Sequence, residues 1–222
     1  MIPPDRDASF VAGMEAILDL YQAPPDPARP LICFDEGGTA LQADSRTPWP
    51  SVPGRATRQD YEYIRRGSVN VFVSCAPHLG WRDVQVTERR TAVDWAQAMQ
   101  RLVNQFPDAE QLIVVMDNLN THRLASLYTA FPAAEARRIA RKLDLRLTPL
   151  HGSWLNIAEL ELNALSHQCL ARRLPDRETV TQDVAAWAQH RNAAGIRVNW
   201  RFGVADARTK MHRTYPVPVC DR

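Results

Sequence analysis

Three acidic positions in this chain have the types and placement that phosphate chemistry needs. Two short apolar runs each end in an aspartate: Leu31-Ile-Cys-Phe-Asp35 and Gln111-Leu-Ile-Val-Val-Met-Asp117. In open α/β sheets, sites form beyond the carboxyl ends of strands. Two neighbouring strand-end carboxylates make a hard, anionic oxygen site suited to Mg²⁺ or Mn²⁺. An aspartate at a strand end is also an ordinary loop cap, so the pair matters only if the two strands are adjacent. A third acid is expected from His151-Gly-Ser-Trp-Leu-Asn-Ile-Ala-Glu159-Leu-Glu161. Helical residues two apart diverge by about 200°, so Glu159 and Glu161 cannot both face one site. The apolar positions Ala158, Leu162, Leu165 and Cys169 lie between them, and periodicity does not choose. Glu36 follows Asp35 and points the opposite way if the strand continues, which makes it a poor companion ligand.

Polar and basic residues flank these acids. Asn118, Asn120 and His122 follow the second acid, and His151 and Trp154 precede the third. They are candidates for orienting a metal site, contacting DNA or capping loops. Arg137, Arg138, Arg141 and Lys142 form one basic helix face, and Arg172 and Arg173 a second basic spot. Either could carry phosphate backbone, or be a solvated face.

The elements that must hold these residues follow from periodicity and punctuation. Phe10, Met14, Ile17, Leu18 and Tyr21 mark one face of a helix over 9–21. Residues 23–30 carry four prolines and form a stiff connector. A strand is expected at 31–34, then a long loop from Gln42 to Arg58. Val69–Cys75 and Trp81–Thr87 read as paired strands turned by Pro77 to Gly80. Thr91 and Asp94 have capping-box spacing for the helix carrying Trp95, Met99, Leu102, Val103 and Phe106. The run before Asp117 is continuously apolar, as a strand covered on both faces should be. A helix over 133–143, a strand over 145–149 and helices over 157–170 and 176–194 complete the order. Antiparallel strands followed by alternating elements describe a mixed-sheet α/β domain.

Composition limits the alternatives. The chain has 222 residues, is 45% apolar and 23% charged, and carries a formal charge of +2. That excludes a disordered or collagen-like chain and suits one domain. No apolar run reaches the ~18 residues of a membrane helix, and the N-terminus lacks signal-peptide features. A soluble cytoplasmic protein is expected. All of the 27 basic residues except Lys142 and Lys210 are arginines, which suit phosphate through their planar fork. Cys33, Cys75, Cys169 and Cys220 form no Cys-x-x-Cys pair or zinc spacing, so neither disulfides nor zinc are expected.

At its acid-bearing segments the sequence resembles DDE transposases of the mariner-like superfamily, in the bacterial insertion-sequence branch of the IS-six-thirty type. The matching pieces are Cys-Phe-Asp-Glu at 33–36, Tyr-Glu-Tyr-Ile-Arg-Arg-Gly at 61–67 and Thr-Glu-Arg-Arg-Thr at 87–91. Val-Met-Asp-Asn-Leu-Asn-Thr-His at 115–122 and His-Gly-Ser-Trp-Leu-Asn-Ile-Ala-Glu at 151–159 follow, then Pro-Asp-Arg-Glu-Thr at 175–179 and Trp-Arg-Phe at 200–202. The chain departs from the family pattern at Leu150 and at Gly37-Gly38-Thr39.

The resemblance implies a ribonuclease-H-like mixed sheet, antiparallel strands then parallel ones, flanked by helices. It implies a triad of Asp35, Asp117 and Glu159 holding two Mg²⁺ (or Mn²⁺) ions, with Glu159 rather than Glu161 as third acid. Cleavage of transposon ends and strand transfer into target DNA, at a TA step, would follow. The active form would be a homodimer on DNA, with no membrane partner. The expected organisation is an N-terminal helix and connector at 1–30, a catalytic domain at 31–196 and a tail at 197–222. Relatives start with helix-turn-helix modules, for which residues 1–30 are too short. An upstream reading frame joined by frameshifting is therefore one expectation. A non-catalytic remnant or regulator is the alternative, and a nuclease acting on RNA:DNA hybrids fits the Glu159 block less well.

Overall fold

Leu31–Asp44 form β1, the middle strand of a five-stranded sheet in a computed structural model that describes residues 7–47, 53–54, 60–119 and 122–217. β1 pairs antiparallel with β2 (Tyr63–Ala76), and β2 pairs antiparallel with β3 (Trp81–Thr87). On its other side β1 pairs parallel with β4 (Leu112–Met116), and β4 parallel with β5 (Leu143–Leu147). The order is β3-β2-β1-β4-β5. This is a mixed α/β fold, antiparallel then parallel and flanked by helices, consistent with the ribonuclease-H-like type.

Alternation along β1 sorts its side chains onto two covered faces. Ile32 and Phe34 join Phe72, Val114 and Met116 in one core. That core is closed by α2 (Ala92–Gln105), α3 (Leu124–Ala130) and α4 (Ala133–Lys142), through Trp95, Met99, Leu127 and Ile139. On the opposite face Leu31, Cys33, Cys75 and Val115 pack against α1 (Ala8–Gln22), and against α5 (Ala158–Leu165) and α7 (Val204–Lys210). Further along that face, Leu41, Val69, Val71 and Val73 meet Leu165 of α5 and Val184 and Trp187 of α6 (Arg177–Ala193). The expected face of the first helix is the buried one, with Asp7 as its cap. Thr91 and Asp94 form the capping box of α2, and Asp176 caps α6.

Several expectations need correction. β1 does not end at Asp35, and the region from Gln42 begins as strand rather than loop. Residues 35–44 stay extended because all but Leu41 have a partner in β2, from Asp35 opposite Val73 to Asp44 opposite Tyr63, with the irregularity falling between Ala40 and Gln42. β2 likewise starts at Tyr63, not Val69. β5 starts at Leu143, directly from α4, because Leu143 pairs with Leu112. The helix expected over 157–170 is α-helical to Leu165 and continues as a π-helical turn over Ser166–Leu170. α3 and α7 were not anticipated. Cys33 and Cys75 face each other as free, buried thiols. Cys220, Asn120 and much of the 42–58 segment lie outside the described residues. Among the described residues no helix is long and apolar enough to cross a membrane.

Candidate active site

The parallel pairing of β1 and β4 brings the first two acids together. Cys33 is level with Val115, so two residues on, Asp35 and Asp117 stand level at the edge where β4 stops. Asp35 is thus an edge residue only with respect to β4, because β1 runs on as one arm of a hairpin. Gly37, on the same side of β1 as Asp35, faces α5: a Cβ there would lie 3.4 Å from Leu162 Cδ2. Asp35 therefore looks toward α5, whose first turn carries Glu159.

The start of α5 is anchored to β1 by its own motif. Gly152 packs so tightly that a Cβ would come 2.7 Å from Pro149 Cγ, which requires glycine there. A 3-10 turn over Ser153–Leu155 follows. The Tyr21 hydroxyl donates to Leu155 O at 2.6 Å. Buried Asn156 donates from Nδ2 to Phe34 O at 2.8 Å and accepts from Ala158 N–H at 3.2 Å. One side chain thereby ties the backbone beside Asp35 to the first turn of α5, where Glu159 sits. Asn156 was not singled out from the sequence, although it lies in the 151–159 segment.

Electrostatics separates the two glutamates of α5. Glu161 is 1% exposed and is held by Arg82 Nε at 3.1 Å and Arg191 Nη2 at 3.2 Å. It is neutralised and committed to the core. Glu159 instead adds its charge to the surroundings of Asp35. Burial first, then the charges of Glu36, Asp117 and Glu159, push Asp35 up to about 7, against a hydrogen bond from Glu36 N–H that favours the anion. A carboxylate held this way gains from a cation, and an all-oxygen set suits Mg²⁺ or Mn²⁺.

A second cluster shares Asp117. One ligand atom each of Glu36, Asp117 and His122 lie within 4.8 Å of one another, a candidate three-residue metal site. His122 Nδ1 is 3.0 Å from Asp117 Oδ1, and Nε2 is 3.4 Å from Glu36 Oε2. The ring stacks on Trp95 (5.9 Å between centroids) and meets Phe34 edge-on (5.7 Å). Burial raises the pKa of Glu36, offset in part by His122. Glu36 does point away from Asp35, as alternation requires, but into this cluster.

The remaining candidates are dispersed. Asn118 and His151 are exposed, and His151 adopts a positive φ of 65°. His122 is buried. Trp154 is half-buried with its ring edge-on to Phe202. Of the α4 basic face, Arg137 and Arg141 are exposed. Arg138 is bound to Glu135 and Asn104, and Lys142 donates to Phe106 O and Pro107 O. Arg172 pairs with Asp183, and Arg173 with Asp44 and the Asp60 carbonyl. The second basic spot is therefore largely self-neutralised.

Residues 30–181 match the family described as DDE superfamily endonuclease. The chain belongs to that family. Its fold is similar to that of the Mos1 mariner paired-end complex with Mn, at a TM-score of 0.56 and 14% identity over 88% of this chain and 61% of that one. The Mos1 strand transfer complex gives 0.56 at 13% identity, covering 88% and 60%. The Mos1 paired-end complex with Mg gives 0.52 at 15% identity, covering 98% and 66%. At such identities the likeness is one of fold, and the chain spans about three fifths of most of these relatives. A comparison with curated proteins returned no match. Within that family the architecture is that of an endonuclease catalytic domain that carries a candidate metal-binding cluster.

Proposed function

We propose that this chain is the catalytic domain of a DNA transposase of the bacterial IS-six-thirty branch, with Asp35, Asp117 and Glu159 as its metal-holding triad. The observation that carries this reading is that charges from the end of β4 and from α5 both act on Asp35 of β1. Asp35 and Asp117 stand level on adjacent parallel strands, and α5 adds Glu159 to the charges acting on Asp35. The family match and the likeness to Mos1 complexes holding Mn or Mg support it.

The donor set fits two hard divalent cations, held by Asp35, Asp117 and Glu159. Bound there, such ions supply charge neutralisation and polarise a phosphate oxygen or a nucleophile. The chain's own part is to fix the acids. Asn156 and the β1–β4 register hold three carboxylates on three elements with little freedom, so the site is organised before DNA arrives. Asp35, pushed up to about 7, would hold such a cation in its ionised form. Water attack at the element's ends would leave a 3′-hydroxyl for transfer to target DNA. In this reading residues 1–30 form an arm, 31–196 the catalytic domain and 197–222 a tail. DNA is the partner, a homodimer the working form, and the cytoplasm beside the nucleoid the location. Asn118, His151, Trp154, Arg137 and Arg141 are the candidate DNA contacts.

The test is nicking of a duplex carrying the inverted repeats that flank the gene, with Mn²⁺ or Mg²⁺. Cleavage is expected with either ion and not in EDTA. Asp35→Asn, Asp117→Asn and Glu159→Gln should each reduce it by roughly 10³-fold or more. Full activity in all three variants would overturn the assignment.

A further inference from the structure

Resting on that reading of Asp117, we propose that His122 is a positioning residue, its ring spanning from the buried carboxylate of Glu36 to Asp117 and fixing the direction in which Asp117 presents its other oxygen. The two ring nitrogens point toward opposite ends of the imidazole. Nδ1 meets Asp117 Oδ1 at 3.0 Å and Nε2 faces Glu36 Oε2 at 3.4 Å. Each ring nitrogen of His122 therefore has a carboxylate of its own, while one atom of each of the three residues lies within 4.8 Å of the other two. They form a chain, carboxylate to imidazole to carboxylate.

The surroundings show that the chain is built rather than incidental. The side chains of His122 and Glu36 are 2% and 3% exposed, while that of Asp117 is 33% exposed. Only the Asp117 end reaches solvent, where DNA and cations arrive. The His122 ring is clamped between Trp95 and Phe34, which removes its freedom to swing. Glu36 Oε2 has no hydrogen-bond partner among the described residues, and His122 is the group it faces. Burying a carboxylate without a partner is costly, so an arrangement that keeps it there calls for a function. Asp117 lies just beyond β4, outside the ladder, and its side chain would otherwise rotate freely. A hydrogen bond to a clamped ring removes that freedom. Such outer contacts to a metal-holding carboxylate typically change affinity or activity 10–100-fold when lost.

Mn²⁺ binding to the whole chain, followed through the paramagnetic resonance of the free ion, separates the possibilities and needs no DNA. Asp117→Asn is the control for the site itself. If it leaves Mn²⁺ affinity unchanged, the triad reading fails, and this inference with it. With that control satisfied, His122→Phe keeps the aromatic packing and removes both nitrogens, and is expected to weaken Mn²⁺ about 10-fold or more at unchanged stoichiometry. His122→Asn retains a donor near the Nδ1 position and should recover most of the affinity. Glu36→Ala should weaken binding about as much as His122→Phe, and the double variant should lose little more. A His122→Phe chain that binds Mn²⁺ as tightly as the parent overturns the proposal while leaving the triad standing. So does loss of one whole ion in Glu36→Gln, which would make Glu36 a direct ligand. Circular dichroism melting of each variant confirms that the comparison is between folded chains.

Discussion

Glu159 and Glu161 stand two residues apart on α5 and live in opposite electrostatic surroundings. Glu161 turns inward onto Arg82 and Arg191, and Arg82 also donates to Gly80 O, Ile196 O and Asn192 Oδ1. This network ties β3, α5 and the end of α6 together. Glu159 turns toward Asp35 and helps to raise its pKa. One half-turn of helix thus separates a fully paired acid, which holds the structure, from an acid placed among other acids, which costs stability. The difference teaches how to sort such residues: the paired charge is the scaffold, and the mutually repelling ones are those assigned to the proposed site.

The contrast breaks most visibly at Arg82. Removing one partner of a buried pair leaves an uncompensated charge and typically costs about 3–5 kcal/mol. Arg82→Ala should lose stability of that order in urea titration, because Gly80 O and Ile196 O lose their donor as well. Arg82→Lys, with fewer and differently arranged donors, should lose less. A loss under about 1 kcal/mol for Arg82→Ala would mean that Glu161 is not held as the geometry indicates.

The cluster at Asp35 should respond in the opposite sense. A cation at 100 times its dissociation constant stabilises the folded state by about 2.7 kcal/mol. Mn²⁺ should therefore raise the melting temperature of the parent chain, and Glu159→Gln should abolish most of that rise. An equal rise in Glu159→Gln would place the ion elsewhere.

How much of this was readable beforehand depends on where each signal resides. The apolar run of β4 and the Thr91–Asp94 box are local, and both elements appear where the residues indicate. The extension of β1 beyond Asp35 is not local. Gln42 to Asp44 carry no strand pattern, and only their partners in β2 keep them extended. α3 and α7 have seven residues each and no side-chain cap at Arg123 or Gly203 to announce them. The same divide runs through the site. Asp35 and Asp117 were legible as acids after apolar runs, whereas periodicity left Glu159 and Glu161 open, the family resemblance favoured Glu159, and the pairing of Glu161 with Arg82 of β3 is visible only in the fold. Glu36 gained its meaning only from His122, whose position is set by Trp95 of α2.

Asp35 itself offers the finest discrimination. The folded chain holds its proton up to about 7, whereas the unfolded chain releases it near 3.8. Between those values the folded state binds more protons, so stability falls as pH rises through that window and stays low above it. The full shift corresponds to about 4 kcal/mol, and solvent reaching this half-buried group reduces it to about 2 kcal/mol. In EDTA, Asp35→Asn should therefore be more stable than the parent by about that amount at pH 8, and equal to it within about 0.5 kcal/mol near pH 4. Urea titrations at the two pH values measure both. Parallel curves for parent and variant would show that Asp35 is not under electrostatic load, and the contrast with Glu161 would then rest on geometry alone. A variant more stable than its parent, yet unable to bind Mn²⁺, would instead show that the acids are retained at a cost to folding.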